Sequence, residues 1–220
     1  MRKSESVNDR LVQTVRGHLD LKERRIGEYA DLKSRGMHFS TRVYDAEKAG
    51  SLCLMEMKAF FGAMKMWTAV FSPTELDGPI LSLDYIEAFG NSTLVLELYD
   101  TTLSHPAFQQ LEEVKARYAS LPEYDHGEHW YNRLLLPVST HKKGKKLQGL
   151  MRQMLQEYAE EYFELLKSCP ACDQAEKKAK NAEFANGLLQ NGGPAVDQFR
   201  KMLGEEKTAV FIRTCMFCCE

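Results

Sequence analysis

Between Met37 and Asp100 apolar and polar residues alternate with a period of two, and this stretch narrows the fold more than any other. Five runs read as strands: His38–Tyr44, Leu52–Lys58, Met64–Phe71, Ile80–Ala88 and Thr93–Tyr99. Turn chemistry separates them at Ala49-Gly50-Ser51, Phe61-Gly62, Ser72-Pro73 through Asp77-Gly78-Pro79, and Gly90-Asn91-Ser92. Most of these connections are too short to hold a crossover helix, so neighbouring strands should pair antiparallel as a meander. In the last strand Leu94, Leu96 and Leu98 share one face, and Thr93, Val95, Glu97 and Tyr99 the other. The fourth strand repeats the pattern, with Leu81, Leu83 and Tyr85 set against Ile80, Ser82, Asp84 and Ile86. One face of the sheet is therefore oily. The other mixes apolar and polar side chains, as either a half-wet surface or a ligand pocket does.

Helical patterns flank this sheet. The first covers Val7 to Lys33, with Leu11, Val15, Leu19, Ile26, Tyr29 and Leu32 at roughly helical intervals, and ends at Ser34-Arg35-Gly36. His105–Ser120 follows the sheet. Leu134-Leu135-Leu136-Pro137-Val138 reads as one more strand. Lys145–Lys167 carries the clearest stripe of all, from Leu147 and Met151 to Tyr158, Tyr162 and Leu165. Asp173–Gln190 and Pro194–Phe217 complete the set, the latter interrupted at Gly204 and begun by a proline suited to a helix start. No repeat or low-complexity tract divides the chain. The expectation is one α/β domain over residues 1–220: an α/β/α sandwich with a central antiparallel sheet and helices on both faces.

Composition removes several function classes. With 44% hydrophobic and 27% charged residues the chain is neither disordered nor fibrous. A net charge of −2 argues against a general nucleic-acid binder. No uncharged apolar run reaches the roughly 18 residues of a membrane span, and the best candidate, Ala59 to Phe71, is broken by Lys65. The polar start Met1-Arg2-Lys3-Ser4-Glu5 is unlike a signal peptide, so a cytoplasmic chain with mostly reduced cysteines is expected.

Four features could carry chemistry. Cys169-Pro-Ala-Cys172 and Cys215-Met-Phe-Cys218, with Cys219 to spare, have the separation that lets each pair reach one tetrahedral zinc. Buried thiols, or a redox-labile Cys-Pro-Ala-Cys pair, are the competing readings. His126-Gly-Glu128-His129 with Asp125 offers metal-type ligands without helical spacing, and reads as a solvated loop. His141-Lys-Lys-Gly-Lys-Lys146 with Arg152 is a basic cluster suited to phosphates, carboxylates or an acidic partner, or else a charged loop at a helix start. Asp84 lies mid-strand among Ile80, Leu81, Leu83, Tyr85 and Ile86, where a carboxylate is disfavoured and costly to bury. It is either held by structural hydrogen bonds or partly exposed, or else it is a desolvated acid with a raised pKa facing a ligand.

From Arg42 onward the sequence resembles the ferredoxin-dependent bilin reductases. The likeness rests on Arg42-Val-Tyr44 through Val70-Phe71-Ser-Pro73; on Gly78-Pro-Ile-Leu-Ser-Leu-Asp84-Tyr-Ile; and on Gly193-Pro-Ala-Val-Asp-Gln-Phe-Arg-Lys-Met-Leu-Gly204-Glu-Glu with Met216-Phe217. The resemblance implies an oxidoreductase of phytobilin biosynthesis. In that family an α/β/α sandwich holds biliverdin or a related tetrapyrrole between one sheet face and the C-terminal helices, in the same pathway as heme oxygenase. It implies no flavin, nicotinamide or metal. Electrons arrive singly from ferredoxin or flavodoxin in a radical mechanism, Asp84 donates a proton, and Trp67, Ile86, Thr93 and Val95 line the pocket. The basic cluster would then serve acidic ferredoxin or the bilin propionates.

Departures from the family pattern shape the expectation. The histidine partner of the aspartate falls on Trp67, the pocket glutamate on Met55 with Glu56 one position off, and a C-terminal aspartate on Gly193. With Asp84 nearly alone, a two-electron reduction is expected rather than a four-electron one. A bilin carrier or chaperone without turnover, a zinc-stabilised interaction module, and a relative acting on red chlorophyll catabolite remain the alternatives.

Overall fold

The computed structural model describes residues 6–34, 36–104 and 106–220. Residues 1–5, on which the reading against a signal peptide rests, lie outside the described residues. So do Arg35 in the expected helix break and His105 at the start of the expected second helix. Among the described residues the five alternating runs are all strands: β3 (Met37–Ala46), β4 (Gly50–Ala59), β5 (Met64–Pro73), β6 (Ile80–Ala88) and β7 (Asn91–Tyr99). Two short strands precede them, β1 (Leu21–Arg24) and β2 (Asp31–Ser34), and β8 (Thr140–Lys145) follows. Each strand from β3 to β8 pairs antiparallel with the next, and β1 and β2 share the outer edge of β3. The sheet thus has eight strands among the described residues.

The alternation decides which helices cover which face. Leu81, Leu83, Tyr85, Leu94, Leu96 and Leu98 pack in one apolar cluster with α1 (Val7–His18), α2 (Gln109–Arg117) and above all α3 (Gln148–Ser168). Met151, Met154, Leu155, Tyr158 and Tyr162 of α3 are buried there. The opposite face contributes Phe39, Val43, Met55, Val70 and Tyr99 to a second cluster. It closes with α4 (Gln174–Asn191), α5 (Pro194–Leu203) and the π-helical turn Phe211–Met216, which follows α6 (Glu205–Val210). Helices therefore lie on both faces of an antiparallel sheet. Among the described residues no helix is long and apolar enough to cross a membrane.

Three expected elements differ. The helix expected over 7–33 stops at His18, capped at its start by the Ser6 side chain, which accepts from the Asp9 amide. The apolar stripe looked continuous but serves two cores: Leu11 and Val15 belong to the first cluster, whereas Ile26, Tyr29 and Leu32 belong to the second, across the sheet. One straight helix cannot reach both, so the chain turns at Gly27 (φ +56°) and adds edge strands instead. The strand expected at Leu134–Val138 is a 3-10 turn (Trp130–Leu134) followed by irregular extended chain bonded to β7 at Leu98 and Asp100. Pro137 has no N–H to give a ladder. The true partner of β7 is the lysine-rich segment read as a loop, whose alternation buries Lys142 between its neighbours. The second helix spans nine residues rather than sixteen.

A buried cation ties the second layer to the sheet. Lys177 of α4 donates to the carbonyls of Gly78 and Thr101, each at 2.6 Å, and lies 3.4 Å from Asp77. Asp77 also accepts from the amides of Leu103 and Ser104, and its pKa is held below the usual range by those bonds and by Lys177, against the opposing effect of burial. Replacing Lys177 with Met leaves the carboxylate and two carbonyls buried without their cation. We expect a loss of about 3–5 kcal/mol in urea-induced unfolding; a loss below about 1 kcal/mol would show that the pair does not hold α4 in place.

Candidate active site

The mixed face of β4–β7 forms the floor of a cavity of about 740 Å³, roofed by α5, the π-helical turn and the loop before β8. That volume lies in the range of small-molecule sites, roughly 300–1,000 Å³. The walls are mainly apolar, with Met55, Met57, Ile86, Val95, Phe199 and Met216 among them. Polar groups converge on the floor: Thr68, Ser82, Asp84, Thr93 and Glu97.

Asp84 sits at the centre of β6, opposite Thr68 of β5 and Val95 of β7. Its side chain opens onto the cavity, and the Thr68 hydroxyl donates to its carboxylate. Burial pushes its pKa up to about 6; the Thr68 bond opposes this rise and the nearby Glu97 charge adds to it. A carboxyl with that affinity can hold a proton near neutrality and release it to a ligand that gains negative charge.

Glu97 lies on the same face of β7, diagonal to Asp84, and is 5% exposed. The Tyr99 hydroxyl donates to one of its oxygens, and His141 of β8 stands 3.0 Å from the other. The His126 ring packs edge-on against His141 with centroids 4.0 Å apart. His129 stacks on His126 and on Tyr131. The loop expected to be solvated therefore folds over the cavity and lends it His126 and His129. Sequence reading missed Glu97 and His141 as site groups, although the alternation that selected Asp84 puts Glu97 on the same face.

Of the expected lining residues, Ile86, Thr93 and Val95 face the cavity. Trp67 does not. It is buried on the opposite face, stacked on Tyr85 at 5.7 Å with the Arg152 guanidinium 5.9 Å from its ring. Placing it beside the aspartate misjudged the pleat by one residue, which inverts the face; the cross-strand neighbour is Thr68. Met55 and Gly193 do reach the cavity, so these two positions present no titratable side chain there. Glu56 points away and pairs with Lys58 at 3.0 Å.

The basic cluster is divided by the same pleat. Lys142 is buried and donates to Leu121 O and Glu123, Lys143 lies over the Tyr124 ring at the cavity, and Lys145 and Lys146 are exposed. The paired cysteines do not form a four-thiol site. Among the described residues no cysteine belongs to any group of three or more metal-ligating side chains converging within 4.8 Å. Cys169 and Cys172 lie beside Asp77 and Lys177, whereas Cys215 and Cys218 lie beside Arg24. Burial pushes the Cys169 thiol up to about 11, so it is protonated at neutral pH.

The raised pKa of Asp84 carries a stability signature of definite sign. Both folded and unfolded chains hold the proton below about pH 4; between about pH 4 and 6 the unfolded chain releases it first, so ionisation of Asp84 costs stability as pH rises. Asp84→Asn removes that cost. The variant should match the parent near pH 4 and exceed it by on the order of 2–3 kcal/mol at pH 8 in urea unfolding. An advantage independent of pH would mean that the carboxyl is not perturbed.

No protein-family model and no curated protein matches the sequence. Among solved structures the chain is similar to phytochromobilin synthase from tomato, crystallised in complex with biliverdin: the TM-score is 0.77 at 13% sequence identity, covering 95% of this chain and 80% of that one. The chain has the fold of that synthase.

Proposed function

We propose that this chain is an oxidoreductase that reduces a biliverdin-type linear tetrapyrrole by two electrons. Electrons come singly from reduced ferredoxin or a flavodoxin, and a proton comes from Asp84. The observation that carries the reading is a carboxyl with a pKa near 6 at the floor of an apolar cavity of about 740 Å³. The fold likeness to a synthase bound to biliverdin supports the choice of ligand class.

The chemistry follows from the environment. A flat conjugated pigment lies against Ile86, Thr93 and Val95 on the sheet side and against Phe199 and Met216 on the helix side. An electron added to it raises the basicity of its carbon and nitrogen positions. Asp84, hydrogen-bonded by Thr68 and poorly solvated, then loses its proton to the pigment and becomes a carboxylate. Two electrons and two protons enter per double bond reduced, and two ferredoxins are oxidised. The reading calls on no bound flavin, nicotinamide or metal.

Purified protein mixed with biliverdin should form a coloured complex whose long-wavelength band bleaches or shifts to the blue on anaerobic reduction through ferredoxin. Asp84→Asn should bind the pigment within about threefold of the parent and lose about 10²-fold or more in product formation, the share general acid catalysis commonly supplies. Turnover of the variant at the parent rate would remove the proton-donor role. A stable pigment complex in the parent with no product would identify a carrier instead.

A further inference from the structure

Asp84 holds one proton, and reducing one double bond consumes two. Beside Asp84 stands Thr68, and Met55 and Gly193 line the cavity without a titratable side chain, so none of these delivers the second proton. The same cavity nevertheless contains a connected titratable chain at its β7–β8 end.

We infer that Glu97, loaded through His141 and His126, is the second proton source of the site. The inference rests on the reading of the chain as a bilin reductase, and its geometry is independent of Asp84's. Glu97 and Asp84 are diagonal neighbours on the cavity face of adjacent strands, so one flat ligand lying across β6 and β7 touches both. Glu97 is nearly inaccessible, and both its oxygens are engaged, by Tyr99 and by His141. His141 is itself 12% exposed, and the His126 ring is in edge-on contact with it. His126 sits in the loop between the exposed residues Asp125 and Gly127. One nitrogen or oxygen from each of Glu97, His126 and His141 lies within 4.8 Å of the other two.

The other charged or titratable groups facing Glu97 are Asp84 from β6, Tyr99 on its own strand, and Lys143 of β8 at the cavity. Tyr131 faces it from the 3-10 turn, His129 from the loop, and Tyr158 through the sheet from α3. The tyrosines stay protonated through the neutral range: burial raises the pKa of Tyr131 and drives those of Tyr99 and Tyr158 higher still. Burial and the neighbouring His141 lower the pKa of His126, so it passes a proton on rather than retaining it.

The step balances. After the first electron, the pigment takes the Asp84 proton and becomes a neutral radical. After the second electron, a C–H bond forms on the pigment as the Glu97 O–H breaks. Glu97 regains a proton from the His141 imidazolium, His141 regains one through His126 from solvent, and Asp84 takes its proton back from solvent once the product leaves. Glu97 touches the pigment; His141 and His126 act through it and are positioning residues.

The test follows the radical in the full-length protein bound to biliverdin and reduced anaerobically by ferredoxin, with electron paramagnetic resonance and absorbance read together. In the parent, decay of the protonated radical should slow as pH rises and His126, whose pKa burial lowers, unloads. Glu97→Gln should bind pigment and form the radical at the parent rate, then accumulate it at least tenfold longer. His141→Gln should also prolong it and abolish the pH dependence of its decay, which loss of packing alone does not do. Asp84→Asn should block the earlier stage. If Glu97→Gln does not fold, His141→Gln, which leaves Tyr99 on Glu97, decides the question alone. Parent-like radical decay and pH dependence in both variants would overturn the inference and leave the reductase reading standing. A parent that does not reduce biliverdin would overturn both.

Discussion

The register of β5, β6 and β7 is the constraint on which everything else depends. Leu94, Leu96 and Leu98 on one strand and Leu81, Leu83 and Tyr85 on the next present a continuous apolar surface to α3. All six are nearly or wholly inaccessible, and each buried leucine contributes roughly 1.5–3 kcal/mol against exposure. Because successive residues point to opposite faces, a slip of one position would expose these side chains and turn Asp84 into the α3 core, where its charge has no partner. The hydrophobic face thus sets the position of the polar one. Asp84, Thr68 and Glu97 are held where they are by leucines they never touch.

The second layer gives that polar face its chemical character. Without α4, α5 and the π-helical turn, the floor of the cavity would be a wet sheet surface and Asp84 an ordinary surface carboxylate. Roofed over, it loses solvent, and its affinity for a proton rises. Lys177 links the roof to the chain just before β6, at Gly78, and just after β7, at Thr101, and so couples the position of α4 to the strand that carries Asp84. Stability at Lys177 and acidity at Asp84 are therefore linked through the same packing, although no bond connects the two residues.

Much of this was legible from residue pattern. The five central strands, the two-faced character of β6 and β7 and the singular position of Asp84 all follow from period-two alternation. Alternation is a strong signal when leucines mark one face so consistently. What failed did so for identifiable reasons. Spacing in the first helix could not reveal that Leu11 and Leu32 go to opposite sides of the sheet. Lysines are poor strand formers in isolation, so His141–Lys146 reads as a basic cluster or a charged loop at a helix start, although pairing with β7 satisfies the backbone of Thr140–Lys145 and Glu123 its one buried ammonium. Trp67 was placed by family likeness rather than by pleat, and an error of a single residue is enough to invert a strand. The histidines of the 126–129 loop gave no periodic signal at all, because their position comes from stacking against Tyr131 and His141.

The distribution of titratable groups in the cavity is lopsided, and this bears on how a pigment would sit. The β3–β4 side offers Phe39, Met55 and Met57, and the helix side Phe199 and Gly193, none of which exchanges a proton. The β7–β8 side gathers Glu97, His126, His129 and Lys143 within reach of Asp84. An asymmetric, amphipathic tetrapyrrole entering such a space is oriented by the difference. Its hydrocarbon edge is favoured against the methionines, and its acidic groups toward Lys143 and the imidazoles, where charge is least costly to desolvate. Under the proposed function, proton transfer falls on the part of the pigment that lies over β6 and β7. Under the proposed function, regioselectivity comes from where the strands place their carboxyls, and the helix face excludes water.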